Sequence, residues 1–380
     1  MGGLRRVYRV GISGSYGGLN LGDEAILRVI VTELRRSVPV EITVFSRNPA
    51  DTLARHDVDR ALPVRQLSRQ EVRPEVARLD LLILGGGGIL FDSEAGIYLR
   101  EAMLAHELGV PVMVYAIGAG PLRSPAAQRM VRDCLGRAAV VTVRERRARQ
   151  VLEEAGLQDD IIVTADPALL LEPQPLPEDA LRREGMDGSR RLVGISVREP
   201  GAAAPDIKQE EYHQLLANAA DYMVDRLDAD LVFVPMEPHV LDTQHSHAVI
   251  ARMAYPRRAT VLKGEYTSGQ ILTLMENFAF AVGMRLHFLI FAALQRVPFV
   301  ALPYASKVTG FLEALDLDAL PVQRVHAGQL LAHIDRSWDL RRETWAHIDA
   351  ILPQLQEHAR ETHRIAVRLL EGGGAAVREA

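Results

Sequence analysis

The chain has 380 residues, 48% of them hydrophobic and 24% charged, which is enough apolar sequence for two globular domains of about 150–200 residues each. Its net charge of −5 provides no overall basic field, so we expect no nucleic-acid partner. The single cysteine, Cys134, excludes an intrachain disulfide and any cysteine-based zinc site.

Short apolar runs alternate with amphipathic runs along the first half of the chain, which predicts a parallel sheet with helical crossovers. The predicted strands lie within residues 6–13, 41–47, 79–86, 111–120, 138–145 and 161–166. A helix is predicted over residues 22–37, opening at about Asp23. We assign residues 1–172 to an N-terminal Rossmann-like domain.

The alternation of strands and helices is interrupted at prolines 173, 175 and 177, because proline suits neither a helix interior nor a central strand. Residues 173–190 are therefore predicted to form a linker. A second α/β series follows, with strands within residues 191–199, 230–237, 259–264, 278–283 and 298–304. This series is predicted to form a C-terminal Rossmann-like domain over residues 191–335, and residues 336–380 a helical tail.

The fold class predicted from this order is α/β, with two Rossmann-like domains facing a cleft. The helical tail is interrupted at Pro353 and is expected to cross back to the first domain. No apolar run reaches the ~18 residues that span a bilayer, and the N-terminus enters a strand without a signal peptide. We expect a cytoplasmic protein.

A glycine-rich loop follows the first predicted strand, in the sequence GISGSYGGLNLGDEAIL. It contains neither a GxGxxG fingerprint nor a Gly-Lys-Ser/Thr pair, so it is not a standard nucleotide loop. One interpretation places Asn20, Asp23 and Glu24 against the hydroxyls of a ligand. The other is a tight turn in which Asp23 favours the helix dipole.

Two further glycine clusters follow apolar strands, at the edge of the sheet where open α/β folds bind ligands. Gly86 and Gly87 belong to the cluster of residues 85–88, and the other spans residues 118–120. Glycine at these positions permits close approach of the backbone to a ligand. Turn geometry alone is the alternative.

Charged residues at other strand ends have two interpretations each. Arg144 is the first charged residue after an apolar strand and is expected to project at the cleft edge, whereas the arginines after it suit a solvated helix. Asp166 precedes a proline and suits either a helix cap or the cleft. Glu237 begins a loop with His239 and Asp242 that lines the cleft, and we expect no metal site there.

The sequence GMRLHFLIFAALQRVPFVALPYASKV places three cationic or titratable side chains at strand ends. Arg285 presents a planar fork suited to a carboxylate or a phosphate. His287 is of a residue type that can act as a general acid or base, and Lys307 is a compact cation suited to a phosphate. The set predicts a small ligand with two anionic groups.

These motifs resemble the polysaccharide pyruvyl transferases of the CsaB type over roughly residues 8–320. The resemblance rests on GSYGGLNLGDEAIL, LLILGGGGILFD, VTVRERRA, DPALLL and GMRLHFLIFAALQRVPFVALPYASKV. It implies a fold similar to glycosyltransferase fold B, with residues 1–172 on the acceptor side and residues 191–335 on the donor side.

The resemblance also implies an activity. Such enzymes transfer a pyruvyl group from phosphoenolpyruvate to a sugar as a cyclic ketal and release phosphate. By resemblance, Arg144, Arg285 and Lys307 bind this donor, and His287 with Arg285 carries the chemistry. Phosphoenolpyruvate is a co-substrate, and no cofactor or metal is implied.

The CsaB type implies a particular acceptor, the 4- and 6-hydroxyls of N-acetylmannosamine in a secondary cell-wall polymer that anchors surface-layer proteins. That glycan would be lipid-linked, which restricts the enzyme to peripheral association with the inner face of the membrane. One alternative is a nucleotide-sugar-dependent glycosyltransferase of the same fold, although residues 288–294 lack the carboxylate that would hold a ribose. The other is a non-catalytic sugar-binding module.

Overall fold

The computed structural model describes residues 6–92, 94–158, 160–186, 188, 190–199, 208–237, 241–302, 306–318 and 326–372. By its internal contacts the chain divides into two compact units. The first unit comprises residues 1–171 and 355–380, and the second comprises residues 172–354.

The first unit contains a parallel sheet in which strand 1 lies between strands 2 and 4. Its order is β3-β2-β1-β4-β6-β7-β8, and β5 pairs with β6. The strands are β1 Tyr8–Ser13, β2 Val40–Ser46, β3 Arg60–Pro63, β4 Leu81–Gly85, β5 Gly88–Leu90, β6 Val112–Ala119, β7 Val140–Val143 and β8 Ile161–Val163. The two short strands β3 and β5 escaped sequence prediction, because neither contains a sustained apolar run.

Helices connect these strands, and the first helix shows how its sequence sets its start. The helices are α1 Leu21–Ser37, α2 Pro49–Arg55, α3 Arg69–Ala77, α4 Ala95–Tyr98, α5 Arg100–Glu107, α6 Pro125–Leu135 and α7 Arg146–Glu154, with a 3-10 turn at Pro167–Leu170. Asn20 is the N-cap of α1, and its side chain accepts hydrogen bonds from the N–H groups of Gly22 and Asp23. The helix therefore begins two residues before the predicted start at Asp23.

The second unit contains a smaller parallel sheet in the order β11-β10-β9-β12-β13. Its strands are β9 Arg191–Ser196, β10 Ala229–Phe233, β11 Ala259–Val261, β12 Phe278–Gly283 and β13 Phe299–Ala301. All five lie where the sequence predicts them. Together the two sheets confirm the prediction of two Rossmann-like α/β domains.

The helices of the second unit are α8 Ala180–Arg183, α9 Gln209–Leu227, α10 Asp242–Ile250, α11 Ser268–Met275, α12 Leu286–Leu294, α13 Ser306–Ala314, α14 Ala327–Asp339 and α15 Arg341–Leu370, with a 3-10 turn at Pro256–Arg258. Residues 173–190, predicted as a linker, pack within this unit. Gln174 donates its backbone N–H to Gly269, and the Glu184 carboxylate accepts from the N–H groups of Lys263 and Gly264.

Each sheet has one place where the order of its strands reverses direction. In the first unit this is the boundary between β1 and β4, and in the second it is the boundary between β9 and β12. Ligands of open α/β sheets bind outside the carboxyl ends of the strands at such a reversal. The residues that follow β1, β4, β9 and β12 are therefore the first to consider for a site.

The last helix, α15, continues through Pro353, which corrects the predicted interruption. Proline removes one backbone hydrogen bond, but Leu352 and Leu355 on either side are buried, and this packing outweighs the local penalty. From residue 355 onward the helix belongs to the first unit, as predicted for a tail that crosses back. There the Thr362 hydroxyl donates to the Thr164 hydroxyl over 2.7 Å, and His363 bonds to Ser37.

Within the described part of the chain, no helix combines the length and the apolar character needed to cross a membrane.

The anchoring of α15 gives a testable prediction. Thr362 is fully buried and its hydroxyl meets that of Thr164, so Thr362→Val keeps the shape and removes the donor. We expect a loss of about 1 kcal/mol in the free energy of unfolding, the usual net value of a buried hydrogen bond. Urea denaturation measures it, with Thr344→Val on the same helix as the control. Additive effects of Thr362→Val and Thr164→Val would contradict a direct contact.

Candidate functional site

The second unit holds a buried arginine at the reversal of its sheet. Arg285 follows β12 and is the N-cap residue of α12. Its Nε donates to Asp242 Oδ2 over 3.0 Å, and its Nη2 donates to Asp242 Oδ1. The same Nη2 donates to Glu237 Oε2 over 2.9 Å. The guanidinium plane is thus fixed by a bidentate contact to one carboxylate and a single contact to another.

Asp242 lies after the end of β10, where it is positioned to bind Arg285. It is the first residue of α10 and is fully buried, and its Oδ2 also accepts the backbone N–H groups of Met236 and Glu237. Burial raises the pKa of Asp242, and the Arg285 guanidinium opposes that rise. A buried carboxylate with a charged partner and two backbone donors is a stable anchor, so Arg285 has little freedom to rotate.

His287 and Lys307 occupy the starts of two helices that follow neighbouring strands. His287 is the second residue of α12 and is half-buried, whereas residues 288–293 behind it are buried as predicted. Lys307 lies in the first turn of α13, also half-buried, after β13. Anions are favoured at helix N-termini because the first N–H groups point outward. Arg285, His287 and Lys307 therefore all lie at carboxyl ends of β12 and β13.

Glu237 contacts Arg285 directly, although the sequence suggested only that it lines the cleft. Its side chain is 26% exposed, while that of Asp242 is fully buried. An incoming anion would therefore displace Glu237 from the guanidinium more readily than it would displace Asp242. His239, predicted on the same loop, lies outside the described residues.

Two buried histidines flank this cluster. His245 lies one turn after Asp242 on α10, and its Nδ1 lies 2.8 Å from His213 Nε2 on α9. Burial lowers the pKa of His213 to about 4, and the neighbouring His245 contributes to the shift. Burial also lowers the pKa of His245, with Asp242 opposing. The pair is neutral at pH 7 and shares one proton between its facing nitrogens.

In the first unit, Arg144 is buried and does not project from the sheet edge as its sequence position suggested. Its Nε donates to Glu145 Oε2 over 2.9 Å and its Nη1 to Asp166 Oδ2 over 2.8 Å. Burial lowers the pKa of Arg144, but the two carboxylates overcome that effect and raise it. A Cβ added at Gly118 would lie 2.8 Å from Arg144 Nη2, so glycine there makes room for the guanidinium.

Asp166 is a helix cap, one of the two interpretations that its sequence allowed. Its Oδ1 accepts the backbone N–H of Ala168 over 3.0 Å and so caps the 3-10 turn that follows. Its Oδ2 binds Arg144. The cap holds the carboxylate in place at the end of β8, where it compensates the buried arginine.

The glycines after β4 are in contact with the loop after β1. Gly86 and Gly87 have φ angles of +87° and +70°, which favour glycine. A Cβ at Gly86 would lie 2.2 Å from the Tyr16 hydroxyl oxygen, and one at Gly87 would lie 2.3 Å from Asp23 Oδ1. Tyr16 and Asp23 therefore lie directly against the glycine backbone at the β1–β4 reversal.

Asn20 and Glu24 stabilise the glycine loop from within. Asn20 caps α1, as described above. Glu24 is buried, its Oε1 accepts the N–H of Gly17 over 2.8 Å, and its Oε2 lies 2.8 Å from His56 Nε2. Both oxygens of Glu24 are engaged in the fold, which leaves Asp23 as the better placed of the two acids to meet a ligand.

Three residues at these sites were missed by sequence reasoning: Tyr16, Glu145 and His56. Tyr16 lies inside the quoted glycine loop, where a lone tyrosine among small residues was the available signal. It is fully buried, and burial raises its pKa well above the usual value, with Asp23 and Glu24 adding to the rise. Glu145 directly follows Arg144, but no spacing rule indicates that neighbouring side chains will pair.

The chain matches one family model, that of polysaccharide pyruvyl transferase, over residues 20–306. A curated relative is the amylovoran biosynthesis protein AmsJ of Erwinia amylovora, 20% identical over 278 residues, which are 70% of this chain and 67% of the relative.

Solved structures share the fold at low sequence identity. MnaA of S. aureus with UDP aligns with a TM-score of 0.66 at 12% identity, over 95% of this chain and 96% of that one. UDP-GlcNAc 2-epimerase from Neisseria meningitidis bound to UDP-GlcNAc aligns with a TM-score of 0.61 at 11% identity, over 95% of this chain and 99% of that one. Anabaena HepE in complex with UDP aligns with a TM-score of 0.56 at 15% identity, over 99% of this chain and 100% of that one. These likenesses, all under 25% identity, support the predicted similarity to glycosyltransferase fold B.

The buried histidine pair predicts a pH dependence of stability. The pKa of His213 is about 4 in the folded chain and about 6.5 when unfolded, so the unfolded state binds a proton first as the pH falls. We expect the free energy of unfolding to decrease as the pH falls from about 6.5 to about 4. His213→Gln should flatten this dependence, and His247→Gln, an exposed position on α10, should not. Equal slopes for the wild type and His213→Gln in urea denaturation would contradict the assignment.

Proposed function

The chain belongs to the polysaccharide pyruvyl transferase family, and on that premise we propose that it transfers a pyruvyl group from phosphoenolpyruvate to a sugar of a cell-surface polysaccharide. Membership of the family makes the protein a transferase with a role in polysaccharide modification. The donor, the acceptor and the roles of individual residues are the content of the proposal.

One observation carries the proposal, namely the fixed guanidinium of Arg285 at the N-terminus of α12. Phosphoenolpyruvate carries a carboxylate and a phosphate, and both suit a planar cation at a helix N-terminus. Because Asp242 holds Arg285 from the buried side, the exposed contact with Glu237 is the one that a donor anion would replace. We propose Arg144 and Lys307 as further donor ligands.

The chemistry needs a proton at carbon 3 of the donor. Protonation of the CH2 group makes carbon 2 electrophilic, and His287 is our candidate for the acid, since imidazole exchanges protons near neutral pH. One sugar hydroxyl then adds to carbon 2 and releases its proton, which restores the acid.

A second hydroxyl of the same sugar then attacks carbon 2 and displaces phosphate. The second hydroxyl proton leaves with the phosphate, so no net proton is consumed. Arg285 and Lys307 would stabilise the charge that grows on the leaving phosphate. Asp23 would orient the acceptor hydroxyls, since both oxygens of Glu24 are engaged in the fold. Gly86 and Gly87 would let the acceptor approach the backbone.

For the acceptor we propose N-acetylmannosamine of a secondary cell-wall polymer, modified at its 4- and 6-hydroxyls, and carried on a lipid. The motif resemblance to the CsaB type supports this choice. The resulting ketal would add a carboxylate to the polymer, which would serve to anchor surface-layer proteins. The enzyme would meet such an acceptor at the inner face of the cell membrane.

A glycosyltransferase that uses a nucleotide sugar is the second candidate. It is favoured by the fold, since solved structures of the same fold were determined with UDP. It is disfavoured by the apolar run of residues 288–294, which offers no carboxylate for a ribose.

Thermal shift distinguishes the two donors. Phosphoenolpyruvate should raise the melting temperature without added divalent metal, because a ligand that binds only the folded state adds about 2.7 kcal/mol at a hundredfold excess over Kd. Glu237→Gln should enlarge the shift, since it removes the acid that competes for Arg285. A shift with UDP and none with millimolar phosphoenolpyruvate would favour the glycosyltransferase.

Substitutions at α12 separate chemistry from binding. His287→Ala should lose roughly 10²–10⁴-fold in kcat, the usual contribution of a general acid, with a smaller change in donor affinity. Arg285→Lys should instead weaken donor binding, because an ammonium cannot replace the planar fork. Arg285→Ala is less informative, since it leaves Asp242 buried without its cation and is expected to destabilise the fold by about 3–5 kcal/mol.

Steady-state kinetics and melting temperatures of these variants provide the measurement, with His247→Ala as a control on an exposed histidine. An active His287→Ala enzyme would remove His287 from the mechanism. A His287→Asn enzyme with normal turnover would reduce the histidine to a structural role at the helix start.

A further inference from the structure

A cavity of about 320 Å³ opens in the first unit at the carboxyl end of β1. Its walls come from β1, the segment after β3, and helices α4 and α5, and include Ser13, Ile97, Tyr98 and Glu101. This volume falls at the lower end of the ~300–1,000 Å³ typical of small-molecule sites. The proposed mechanism uses none of these four residues.

A buried carboxylate forms one wall of the cavity. Glu101 is 1% exposed, its Oε1 accepts from Arg100 Nε over 2.6 Å, and its Oε2 accepts from the Ser13 hydroxyl over 3.3 Å. A carboxylate has about four lone-pair sites. The two side-chain bonds use two of them, and a bond from a backbone N–H uses a third. Burial raises the pKa of Glu101, with Arg100 opposing. Glu101 can therefore accept one further hydroxyl donor.

The cation beside Glu101 has a structural task. Arg100 donates from Nη1 to the Leu67 carbonyl over 3.0 Å and from Nη2 to the Val64 carbonyl over 2.6 Å. It thereby holds the segment after β3 that forms the rim of the cavity, as well as Glu101. The carboxylate is thus both charge-compensated and fixed in position before any ligand arrives.

Another wall is apolar and accessible. Ile97 on α4 is 43% exposed and lines the cavity, whereas large apolar side chains in this unit are mostly buried. Tyr98 beside it is buried and donates its hydroxyl to Ser15 over 3.3 Å. An apolar surface facing a carboxylate suits a pyranose ring, which presents C–H groups on one face and hydroxyls at its edge.

The location of the cavity agrees with a ligand of the same reaction. Ser13 ends β1, which borders the reversal between β1 and β4, and Gly14 follows it. Gly14 also begins the loop that carries Tyr16 and leads into α1, whose first turn carries Asp23. The cavity therefore adjoins the segment proposed above to orient the acceptor hydroxyls.

We infer that this cavity binds one uncharged hexose ring of the acceptor glycan. Glu101 accepts a hydrogen bond from one of its hydroxyls, and Ile97 packs against the C–H face of the ring. That the sugar is an acceptor rests on the proposed function, whereas the binding of a sugar here rests on the cavity alone. Arg65 also lines the cavity, but it is exposed and lies over the Tyr98 ring, whereas Glu101 is buried and fixed. A uronic acid is disfavoured, because its carboxylate would meet that of Glu101.

Two variants test the cavity by different means. Glu101→Gln removes the charge and keeps the shape, and Ile97→Trp fills the space from an exposed position without disturbing the core. Leu53→Trp is the matched control, an exposed apolar residue of the same unit that does not line the cavity. The probes are methyl β-glucopyranoside, methyl β-galactopyranoside, N-acetylmannosamine and methyl β-glucuronide, observed by saturation-transfer NMR without donor.

We expect an uncharged probe to bind the wild type and Leu53→Trp, and to bind Ile97→Trp and Glu101→Gln at least tenfold more weakly. In an assay of phosphate release from phosphoenolpyruvate, the KM for the same sugar should rise at least tenfold in Glu101→Gln and Ile97→Trp. Both variants should retain kcat and the rise in melting temperature that the donor induces. Unchanged sugar binding in a folded Ile97→Trp, or a preference for the glucuronide, would overturn the inference. If Glu101→Gln does not fold, Ile97→Trp alone decides.

The two proposals can fail separately. If both variants bind the donor, release phosphate and keep the wild-type KM for the sugar, the inference that the cavity binds sugar is rejected and the proposed function stands. If the wild type neither binds nor consumes phosphoenolpyruvate, the proposed function is rejected. Loss of sugar binding in Ile97→Trp would then still support a sugar site in the cavity.

Discussion

The burial of a charged guanidinium at the end of a parallel sheet is the constraint on which the second unit depends. Arg285 ends the loop after β12 with its side chain buried, and a buried cation is tolerated only with a close anion. Asp242 provides that anion from α10, and it is itself held by two backbone N–H groups after β10. The loops after two strands are thereby tied to one ion pair, and the N-terminus of α12 acquires a rigid cation.

The first unit repeats this arrangement with different residues. Arg144 after β7 is buried between Glu145 and Asp166, and Asp166 is fixed by the 3-10 turn that it caps. In the first unit an arginine and a capped aspartate join the ends of the adjacent strands β7 and β8. In the second unit an arginine and a backbone-bonded aspartate join the ends of β12 and β10, which have β9 between them. Such pairs contribute little net stability, because desolvation offsets the attraction. Their main effect at the carboxyl ends of the strands is to fix the orientation of each arginine.

The sequence predicted the parts of this molecule that depend on local pattern. All five strands of the second sheet and six of the first were predictable, because buried parallel strands are continuous apolar runs, as in FAFAVG. What escaped prediction depends on long-range contact. The pairing of Arg285 with Asp242 spans 43 residues, and Glu101 meets Ser13 across 88. Pro353 suggested a break in α15 that tertiary packing overrides.

We propose that the chain forms a pyruvyl ketal from phosphoenolpyruvate by protonating carbon 3 of the donor. This reaction can be tested in D2O with an acceptor sugar, with the product analysed by mass spectrometry and NMR. We expect one phosphate released per ketal formed, and one deuterium in the methyl group derived from carbon 3 of the donor. Phosphate release without a new sugar product, or a ketal whose methyl group carries no deuterium, would contradict it.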